Sequence, residues 1–384
     1  MHSVGIHAFQ MKSEPLTSTL PPGGSGTEQL TLLDGGAEAY PRMLEAIGSA
    51  TRRVHLEVYT FEREGVGTRF IAALTTAALR GVEVKVIVDG WGTLGESRAL
   101  ASTLRDSGVK VRIHNPLTSL FLGRTWRNHR KILLVDETVA FIGGVNIGDD
   151  YAPRDGEPGW ADMVLELRGP ICAQLSPRLS AGACALESGA VRIFLSGVGG
   201  GGKLRARYLA ALQGARRKVV LAHAYFLPDR GFVKALQRTA RRGVEVHLLL
   251  PGRSDVPFAR AASMRLYRTL LKAGVRIHEL MTTTLHAKAA VVDGERLLVG
   301  SFNLDPLSLV NLETLVEVED VAMAEQATRW MERHLTGARP VGLELFARTG
   351  LRHWLQEVMG LAMARLAERI ASFVGSRRMR RRDS

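Results

Sequence analysis

The chain has 384 residues, and its 51 lysines and arginines against 38 aspartates and glutamates give a net charge of +13 at neutral pH. Hydrophobic residues make up 46% and charged residues 23%, as in globular proteins, which excludes a largely disordered chain. Two cysteines exclude a disulfide scaffold and a zinc site built from four cysteines. The length suggests two or three domains, and the charge indicates an anionic partner, for which a nucleic acid and an anionic membrane surface fit equally well.

Residues 1–28 are expected to form a flexible leader, because positions 14–28 are rich in Pro, Gly, Ser and Thr. The leader lacks the basic start and the following apolar stretch of a secretory signal. No window of the chain approaches the roughly 18 uninterrupted apolar residues of a spanning helix. We therefore expect a protein that is soluble or lies on a membrane surface.

Between residues 29 and 190, short apolar runs alternate with helical patterns. The predicted strands are Val54–Phe61, Val82–Val88, Val109–His114 and Ile132–Asp136. The predicted helices Arg69–Arg80 and Glu96–Ser107 each end before a glycine, which is a typical helix stop. Continuous apolar strands indicate a sheet covered on both faces, so the pattern favours an α/β fold.

An apolar loop precedes the main motif of this region. Gly108 and His129 are 21 positions apart, whereas the corresponding Gly274 and His286 are 12 apart, so the first half carries nine extra residues. They include Leu120, Phe121, Leu122 and Trp126. Such a loop is either a lipid-facing lip or a segment packed on its own domain.

Residues 191–338 repeat the same plan. RRVHLEVYTF at 52–61 recurs as RKVVLAHAYF at 217–226, and RGVEV at 80–84 recurs at 242–246. The spacing of about 160 residues exceeds the periods of common solenoids and indicates a duplicated domain. We therefore predict two α/β lobes, 29–190 and 191–338. GVGGGGK at 197–203 lacks the Ser or Thr that completes a P-loop and is interpreted as a flexible linker before a helix at Leu204–Ala215.

The segment 339–384 has no counterpart in the repeat. Apolar residues at spacings of three and four make one helical stripe, and they are Leu351, Leu355, Val358, Ala362, Leu366, Ile370 and Phe373. The chain then ends in an arginine-rich tail. The pattern predicts a basic amphipathic helix in the plane of an anionic membrane, with a helix docked on the protein body as the alternative.

One motif, H-x-K-x4-D, occurs once in each half, at His129, Lys131 and Asp136 and at His286, Lys288 and Asp293. These six residues are the candidate catalytic set. His and Lys two positions apart on a strand share a face, whereas each Asp lies an odd number of positions from its Lys and is expected to brace the fold. An imidazole can act as a nucleophile or as an acid and base near neutral pH.

Two motif copies that meet at an interface would form a site that holds phosphate without a metal or cofactor. The ammonium groups, together with the amides of Asn146 and Asn303 just after the motifs, would bind the phosphoryl oxygens. One His would attack phosphorus to form a phosphohistidine. The other would protonate the departing alkoxide and then deprotonate the incoming hydroxyl.

The two motif copies resemble those of the phospholipase D superfamily. HRKILLVDETVAFIGGVN at 129–146 and GSFNLDPLSLVNLE at 300–313 are similar to bacterial cardiolipin synthases, in particular the B-type without spanning helices. The resemblance covers roughly residues 30–335. It implies two phospholipase D-like α/β/α sandwich lobes with one active site at their interface, and transfer of a phosphatidyl group between two phosphatidylglycerols with release of glycerol.

The resemblance also implies a carboxylate downstream of each motif that orients the His of that motif, and we assign Asp162 and Glu313. Gly144 stands where the superfamily usually has Ser, so Ser301 alone would supply a hydroxyl. By analogy with the superfamily, His129 is expected to be the nucleophile and His286 the acid and base. The motifs are nearly identical and do not decide this by themselves.

The implied partners are anionic phospholipids and a membrane surface, with the protein peripheral on the cytoplasmic face of a bacterial inner membrane and with no nucleic acid. Two alternatives use the same residues. One is a hydrolytic phospholipase D with water as acceptor. The other is a nuclease of the superfamily, which the charge would suit, although no basic and aromatic residues interleave as in stacking platforms.

Overall fold

A computed structural model of the chain describes residues 17–19, 28–116, 118–119, 126–154, 156–179, 182–253 and 257–346. Most of the expected leader, residues 120–125 of the apolar loop, and the predicted amphipathic helix with its arginine tail lie outside the described residues. Within these ranges, no helix combines the length and the apolar character needed to cross a bilayer.

The first lobe is built on an eight-stranded sheet. Its strands are β1 (Thr17–Thr19), β2 (Gln29–Asp34), β3 (Arg53–Val58), β4 (Glu83–Asp89), β5 (Lys110–His114), β6 (Ile132–Val135), β7 (Val139–Gly143) and β8 (Met163–Arg168). Its helices are α1 (Gly35–Ser49), α2 (Val66–Leu79), α3 (Ser97–Arg105) and α4 (Pro170–Arg178). The strand order is β1-β2-β8-β7-β6-β3-β4-β5, with β3, β4 and β5 parallel and the other pairs antiparallel.

The second lobe is built on a nine-stranded sheet. Its strands are β9 (Cys184–Ser188), β10 (Val191–Leu195), β11 (Lys218–His223), β12 (Glu245–Pro251), β13 (Arg276–Leu280), β14 (Lys288–Val292), β15 (Arg296–Gly300), β16 (Thr314–Glu319) and β17 (Arg339–Val341). Its helices are α5 (Gly201–Gly214), α6 (Arg230–Arg241), α7 (Pro257–Leu271) and α8 (Val321–Thr336). The order β17-β13-β12-β11-β14-β15-β16-β10-β9 repeats the plan of the first sheet with one more edge strand. The predicted class, two duplicated α/β lobes, is confirmed.

Glycines end the helices that lead into the parallel strands, as the sequence predicts. Gly81 and Gly243, the glycines of the two RGVEV copies, both have φ of +89°, a conformation that costs little only without a side chain. The flexible linker predicted at 197–203 is wrong in part, because α5 already begins at Gly201. A Cβ at Gly201 would lie 2.3 Å from the carbonyl oxygen of Ser308, so glycine lets α5 pack directly on that loop.

Three apolar cores hold the molecule together. One lies under α1–α3, a second lies under α5–α7, and the third lies between the two sheets and includes side chains of both. The inner core also takes in α4 and α8, with Trp330 of α8 buried and its Nε1–H donating to Asp34 Oδ1 at 2.6 Å. The sheets therefore face each other across a shared core, and this fixes the lobes relative to one another.

Candidate active site

The two motif histidines lie at the boundary between the lobes, just before β6 and β14. The backbone N–H of His129 donates to the carbonyl oxygen of Leu312 at 2.9 Å, and that of His286 to the carbonyl oxygen of Ala161 at 2.8 Å. Each histidine is thus anchored through its backbone to the opposite lobe.

The carboxylates that contact the imidazoles are also exchanged between the lobes. His129 Nδ1 lies 3.0 Å from Glu313 Oε2, and His286 Nδ1 lies 2.7 Å from Asp162 Oδ2. The expectation that each carboxylate orients the His of its own half is therefore wrong in its pairing. Asp162 and Glu313 immediately precede β8 and β16, at the edge where the two sheets meet, and both side chains reach across it.

The surroundings of His129 fix which of its ring nitrogens carries the proton. Nδ1 lies 3.1 Å from the carbonyl oxygen of Ser301 as well as 3.0 Å from Glu313 Oε2. A carbonyl oxygen accepts and cannot donate, so we place the proton on Nδ1, which leaves the lone pair on Nε2. Nε2 is therefore the nucleophilic atom when this ring is neutral.

Burial controls the charges of the site. It lowers the pKa of His129, an effect that the charge of Glu313 partly offsets. Burial, followed by the nearby charge of Lys288, lowers the pKa of Lys131 far below its ordinary value. Burial raises the pKa of Asp162 to about 7. The site therefore favours a neutral His129 at neutral pH.

The two lysines lie beside the imidazoles of their own motifs, as the spacing predicts. Lys131 Nζ donates to the carbonyl oxygen of His129 at 2.8 Å and lies 5.1 Å from the centre of the Tyr59 ring. Lys288 Nζ lies 2.9 and 3.0 Å from the two ring nitrogens of His286 and also contacts its carbonyl oxygen. A phosphodiester anion between the lobes would stabilise the charged forms of both lysines against burial and mutual repulsion.

Ser301 and Gly144 occupy corresponding places and behave differently. Ser301 Oγ donates to Glu313 Oε2 at 2.5 Å and accepts the backbone N–H of Thr314 at 3.0 Å. A Cβ at Gly144 would come within 2.3 Å of Asp162 Oδ1, so glycine leaves room for this carboxylate. In this structure the Ser301 hydroxyl holds Glu313, and its contact with substrate stays a prediction.

The two asparagines are both buried at the site but differ in their bonding. Asn146 Nδ2 donates to the Tyr151 hydroxyl at 2.7 Å, and its Oδ1 accepts the backbone N–H of Thr60 at 3.1 Å. Asn303 Oδ1 has no hydrogen-bond partner among the described residues. A buried amide with an unsatisfied atom costs free energy, which a ligand or a water would recover.

Aromatic side chains wall the imidazoles. The Tyr59 ring centre is 5.0 Å from that of His129, and the rings of Tyr151, Trp160 and Tyr225 lie 5.2, 5.5 and 6.4 Å from that of His286. The sequence analysis did not place Tyr151 or Trp160 at the site. The available signals were the position of Trp160 two residues before Asp162 and that of Tyr151 five residues after Asn146.

Asp136 and Asp293 do not lie at the site, so their inclusion in the candidate catalytic set is wrong. Their contacts agree with the other expectation, that they brace the fold. Each follows the far end of its strand with positive φ, +50° and +56°. Asp136 accepts the backbone N–H groups of Thr51, Arg52 and Arg53, each at 2.8 Å. Asp293 accepts those of residues 216–218 at 2.8–3.0 Å.

The family described as cardiolipin synthase, PLD-like domain, matches residues 43–161 and 208–335. Cardiolipin synthase B of Escherichia coli strain K12 is 34% identical over 316 residues, which is 76% of each protein. Cardiolipin synthase of Geobacillus sp. strain WCH70 is 30% identical over 344 residues, 83% of this chain and 68% of the relative.

Among solved structures, phosphatidylserine synthase of Haemophilus influenzae Rd KW20 matches with a TM-score of 0.67 at 14% identity, over 89% of this chain and 95% of that one. Polyphosphate kinase of Porphyromonas gingivalis matches with a TM-score of 0.57 at 17% identity, over 82% of this chain and 49% of that one. At these identities the likeness shows the fold alone.

Proposed function

Because the chain belongs to the family of cardiolipin synthases with a phospholipase D-like domain, we propose that it transfers a phosphatidyl group from one phosphatidylglycerol to a second and releases glycerol. The observation that carries the proposal is the pair of exchanged acid–imidazole contacts, His129 with Glu313 and His286 with Asp162. Two imidazoles, each oriented by a buried carboxylate beside a lysine, suit a two-step displacement at one phosphorus atom.

In the first step, Nε2 of His129 attacks the phosphorus of the donor lipid. The bond from phosphorus to the glycerol oxygen breaks as the bond to nitrogen forms, and the departing alkoxide takes a proton from His286. Glu313 stabilises the positive charge that develops on the substituted imidazole. The fixed Nδ1 proton of His129 supports its assignment as the nucleophile.

In the second step, His286 takes the proton from a glycerol hydroxyl of the acceptor lipid. The acceptor oxygen attacks phosphorus, the bond to His129 breaks, and cardiolipin and the starting enzyme result. One phosphodiester replaces another, so the sequence of steps uses no nucleotide. The aromatic wall around His286 supports transfer over hydrolysis, because choosing a lipid alcohol requires the exclusion of water.

The test is a product assay with purified protein and phosphatidylglycerol vesicles, read by mass spectrometry. We expect cardiolipin and glycerol from the wild type, and no product from His129→Ala or His286→Ala. Since the lysines supply the positive charge, we expect activity to persist with a chelator present. Phosphatidic acid as the only lipid product would make the enzyme a hydrolase instead, and DNA cleavage without lipid turnover would refute both.

We also propose that the protein is peripheral on an anionic membrane, at the cytoplasmic face of a bacterial inner membrane. The net charge of +13 supports attraction to anionic lipid. The apolar loop at 120–126 and the amphipathic helix with its arginine tail remain predicted contacts with the membrane.

A further inference from the structure

Three large apolar side chains are exposed around the mouth of the site. Trp91 and Leu94, in the loop after β4, expose 44% and 58% of their surface, and Leu307, in the loop after the second motif, exposes 49%. We call these three residues the rim. Scattered exposed apolar residues are ordinary, but a group of them beside a binding site marks an interaction surface.

Hydrogen bonds connect the first part of the rim to His129. The backbone N–H of Trp91 donates to Asp89 Oδ1 at 2.9 Å. The other oxygen of this buried carboxylate accepts the backbone N–H of Asn128 at 2.8 Å, one residue before His129. In the same loop, Thr93 donates its hydroxyl to the carbonyl oxygen of Tyr59, whose ring contacts His129.

Leu307 belongs to the same edge of the cleft, although it comes from the other lobe. Its carbonyl oxygen accepts the backbone N–H of Asn311 at 3.1 Å. Asn311 Oδ1 in turn accepts the backbone N–H of Arg127 at 2.9 Å, and the Arg127 guanidinium lies 4.6 Å from the centre of the Trp91 ring. Arg127 therefore joins the two sides of the rim.

Positive charge accompanies the rim. Arg98 in the first turn of α3 is exposed, and so is Arg253, which holds the place of Trp91 in the second half. Both Trp91 and Arg253 follow a glycine at the end of a parallel strand, so both lie at the site end of their sheets.

Two carboxylates that the structure describes beside the rim are bonded back to the protein. Glu96 Oε2 accepts the backbone N–H of Arg63 at 3.0 Å, and Asp305 Oδ1 accepts that of Ser308 at 2.8 Å. Their charge is thus partly neutralised by protein donors, whereas Arg98 and Arg253 are exposed.

We propose that the rim inserts into the interfacial layer of an anionic bilayer while Arg98, Arg127 and Arg253 bind headgroup phosphates. Tryptophan prefers this layer, where its ring is buried and its N–H stays hydrated. Arginine near an anionic surface adds attraction. This inference rests on the proposed function, because a site that accepts two membrane lipids needs its mouth at the bilayer surface. Docking to another protein is the competing outcome.

The first experiment measures binding to sedimenting vesicles of phosphatidylcholine with and without phosphatidylglycerol. We compare the wild type with the rim variant Trp91→Ser/Leu94→Ser/Leu307→Ser. A matched control, Leu79→Ser/Val321→Ser/Leu343→Ser, changes three exposed apolar residues at the opposite ends of the sheets. Circular dichroism and thermal unfolding establish that each variant is folded.

We expect the rim variant to bind phosphatidylglycerol vesicles at least about tenfold more weakly, while the control binds like the wild type. Replacing the three arginines with Gln should reduce the preference for phosphatidylglycerol vesicles and the sensitivity of binding to salt. Wild-type binding by the rim variant, or equal loss in the control, would overturn the proposal and leave the rim as a surface for a protein.

A second experiment changes one residue only. Phospholipids brominated on their acyl chains quench tryptophan fluorescence on contact, and the quenching that disappears in Trp91→Phe reports Trp91 alone. We expect a clear difference between the wild type and this variant. No difference at saturating vesicles would show that Trp91 does not enter the bilayer and would contradict the proposal.

Failure of the docking surface and failure of the proposed function give different results. We expect His129→Ala to bind vesicles as the wild type does, because its rim is intact. Wild-type protein that binds vesicles through the rim but makes no lipid product would refute the proposed function alone. Wild-type protein that makes cardiolipin, with unchanged binding in the rim variant, would refute the docking surface alone.

Discussion

At the scale of single residues, the site depends on how Glu313 holds His129. The carboxylate contacts Nδ1 of the ring, accepts the Ser301 hydroxyl and contributes a charge that favours the protonated imidazole. Burial opposes that charge and lowers the pKa of His129 overall. His129, the proposed nucleophile, is thus kept neutral by burial and kept in position by its carboxylate.

Glu313→Gln separates these two effects. Removing the charge of Glu313 lowers the pKa of His129 further, so the acidic limb of the kcat/KM profile should move to lower pH. The rate at the optimum should fall roughly 10²–10⁴-fold, because the developing imidazolium loses its counter-charge. Asp293→Asn makes the same chemical change far from the site and should leave the limb in place. An acidic limb that moved to higher pH in Glu313→Gln would contradict the role of Glu313.

At the scale of secondary-structure elements, the motif aspartates tie the loops before β3 and β11 to the ends of β6 and β14. Burial alone would raise the pKa of Asp136, but the backbone N–H groups of Arg53, Thr51 and Arg52 outweigh it and lower the pKa. The odd spacing from Lys131 to Asp136 predicts that the Asp136 side chain points away from the site, because successive residues of a strand face opposite sides.

Asp136→Ala should lower the free energy of unfolding by about 1–3 kcal/mol, since three backbone N–H groups lose a charged acceptor. Urea unfolding measures this, and Asp136→Asn, which keeps one acceptor, should lose less. Because the pKa of Asp136 is lowered in the fold, its contribution is present above pH 3.8 and disappears as the pH falls through the folded-state pKa. Loss of activity per folded molecule in Asp136→Ala would contradict a bracing role.

A buried polar network on β3 and the motif segment belongs to the first lobe alone. Glu57 contacts His55 Nε2 at 3.0 Å, Asn128 Nδ2 at 3.1 Å and Arg130 Nη1 at 3.8 Å. Arg130 also donates to the carbonyl oxygen of Ser196 at 2.7 Å, just after β10 in the second lobe. In the repeat, the corresponding positions of the second lobe are apolar: Val220, Ala222, Leu285 and Ala287.

Glu57→Ala and Arg130→Ala should each destabilise the protein by roughly 3–5 kcal/mol, because each leaves a buried charge without its partner. The double variant reproduces the alanines of the second lobe, and it should cost less than the sum of the two single changes. The free energies of unfolding of the wild type, the two single variants and the double variant, measured with urea, form a double-mutant cycle. Additive losses would show that the two side chains are not coupled.

At the scale of the whole molecule, the repeated pattern was sufficient to predict two α/β lobes and their helix stops, because local periodicity and glycine placement act within one lobe. The exchange of carboxylates was not predictable, and the only sign that Tyr151 and Trp160 contact His286 was their closeness in sequence to Asn146 and Asp162. These contacts depend on how the two sheets face each other, and that follows from the fit of side chains such as Trp330 in the shared core.

This shared core should make the two lobes unfold together. We expect amide protons of β3 and β4 and those of β11 and β12 to lose protection at the same urea concentration. Trp330→Ala should lower the free energy of unfolding by about 3–5 kcal/mol through the cavity it leaves between the sheets, and both lobes should be affected equally. Two separate transitions in the wild type would contradict this.

The contacts that His129 and His286 make with the opposite lobe have a consequence for lipid traffic. A hinge motion that separated the lobes would break the contacts of both imidazoles with Glu313 and Asp162 at once. Both imidazoles and both carboxylates would then lose these partners. Separation of the lobes in each catalytic cycle would therefore disrupt the active site at every turnover. If the proposed function holds, lipids with two acyl chains would enter the site, and a product with four would leave it, between lobes that keep their relative position, with the acyl chains still in the bilayer.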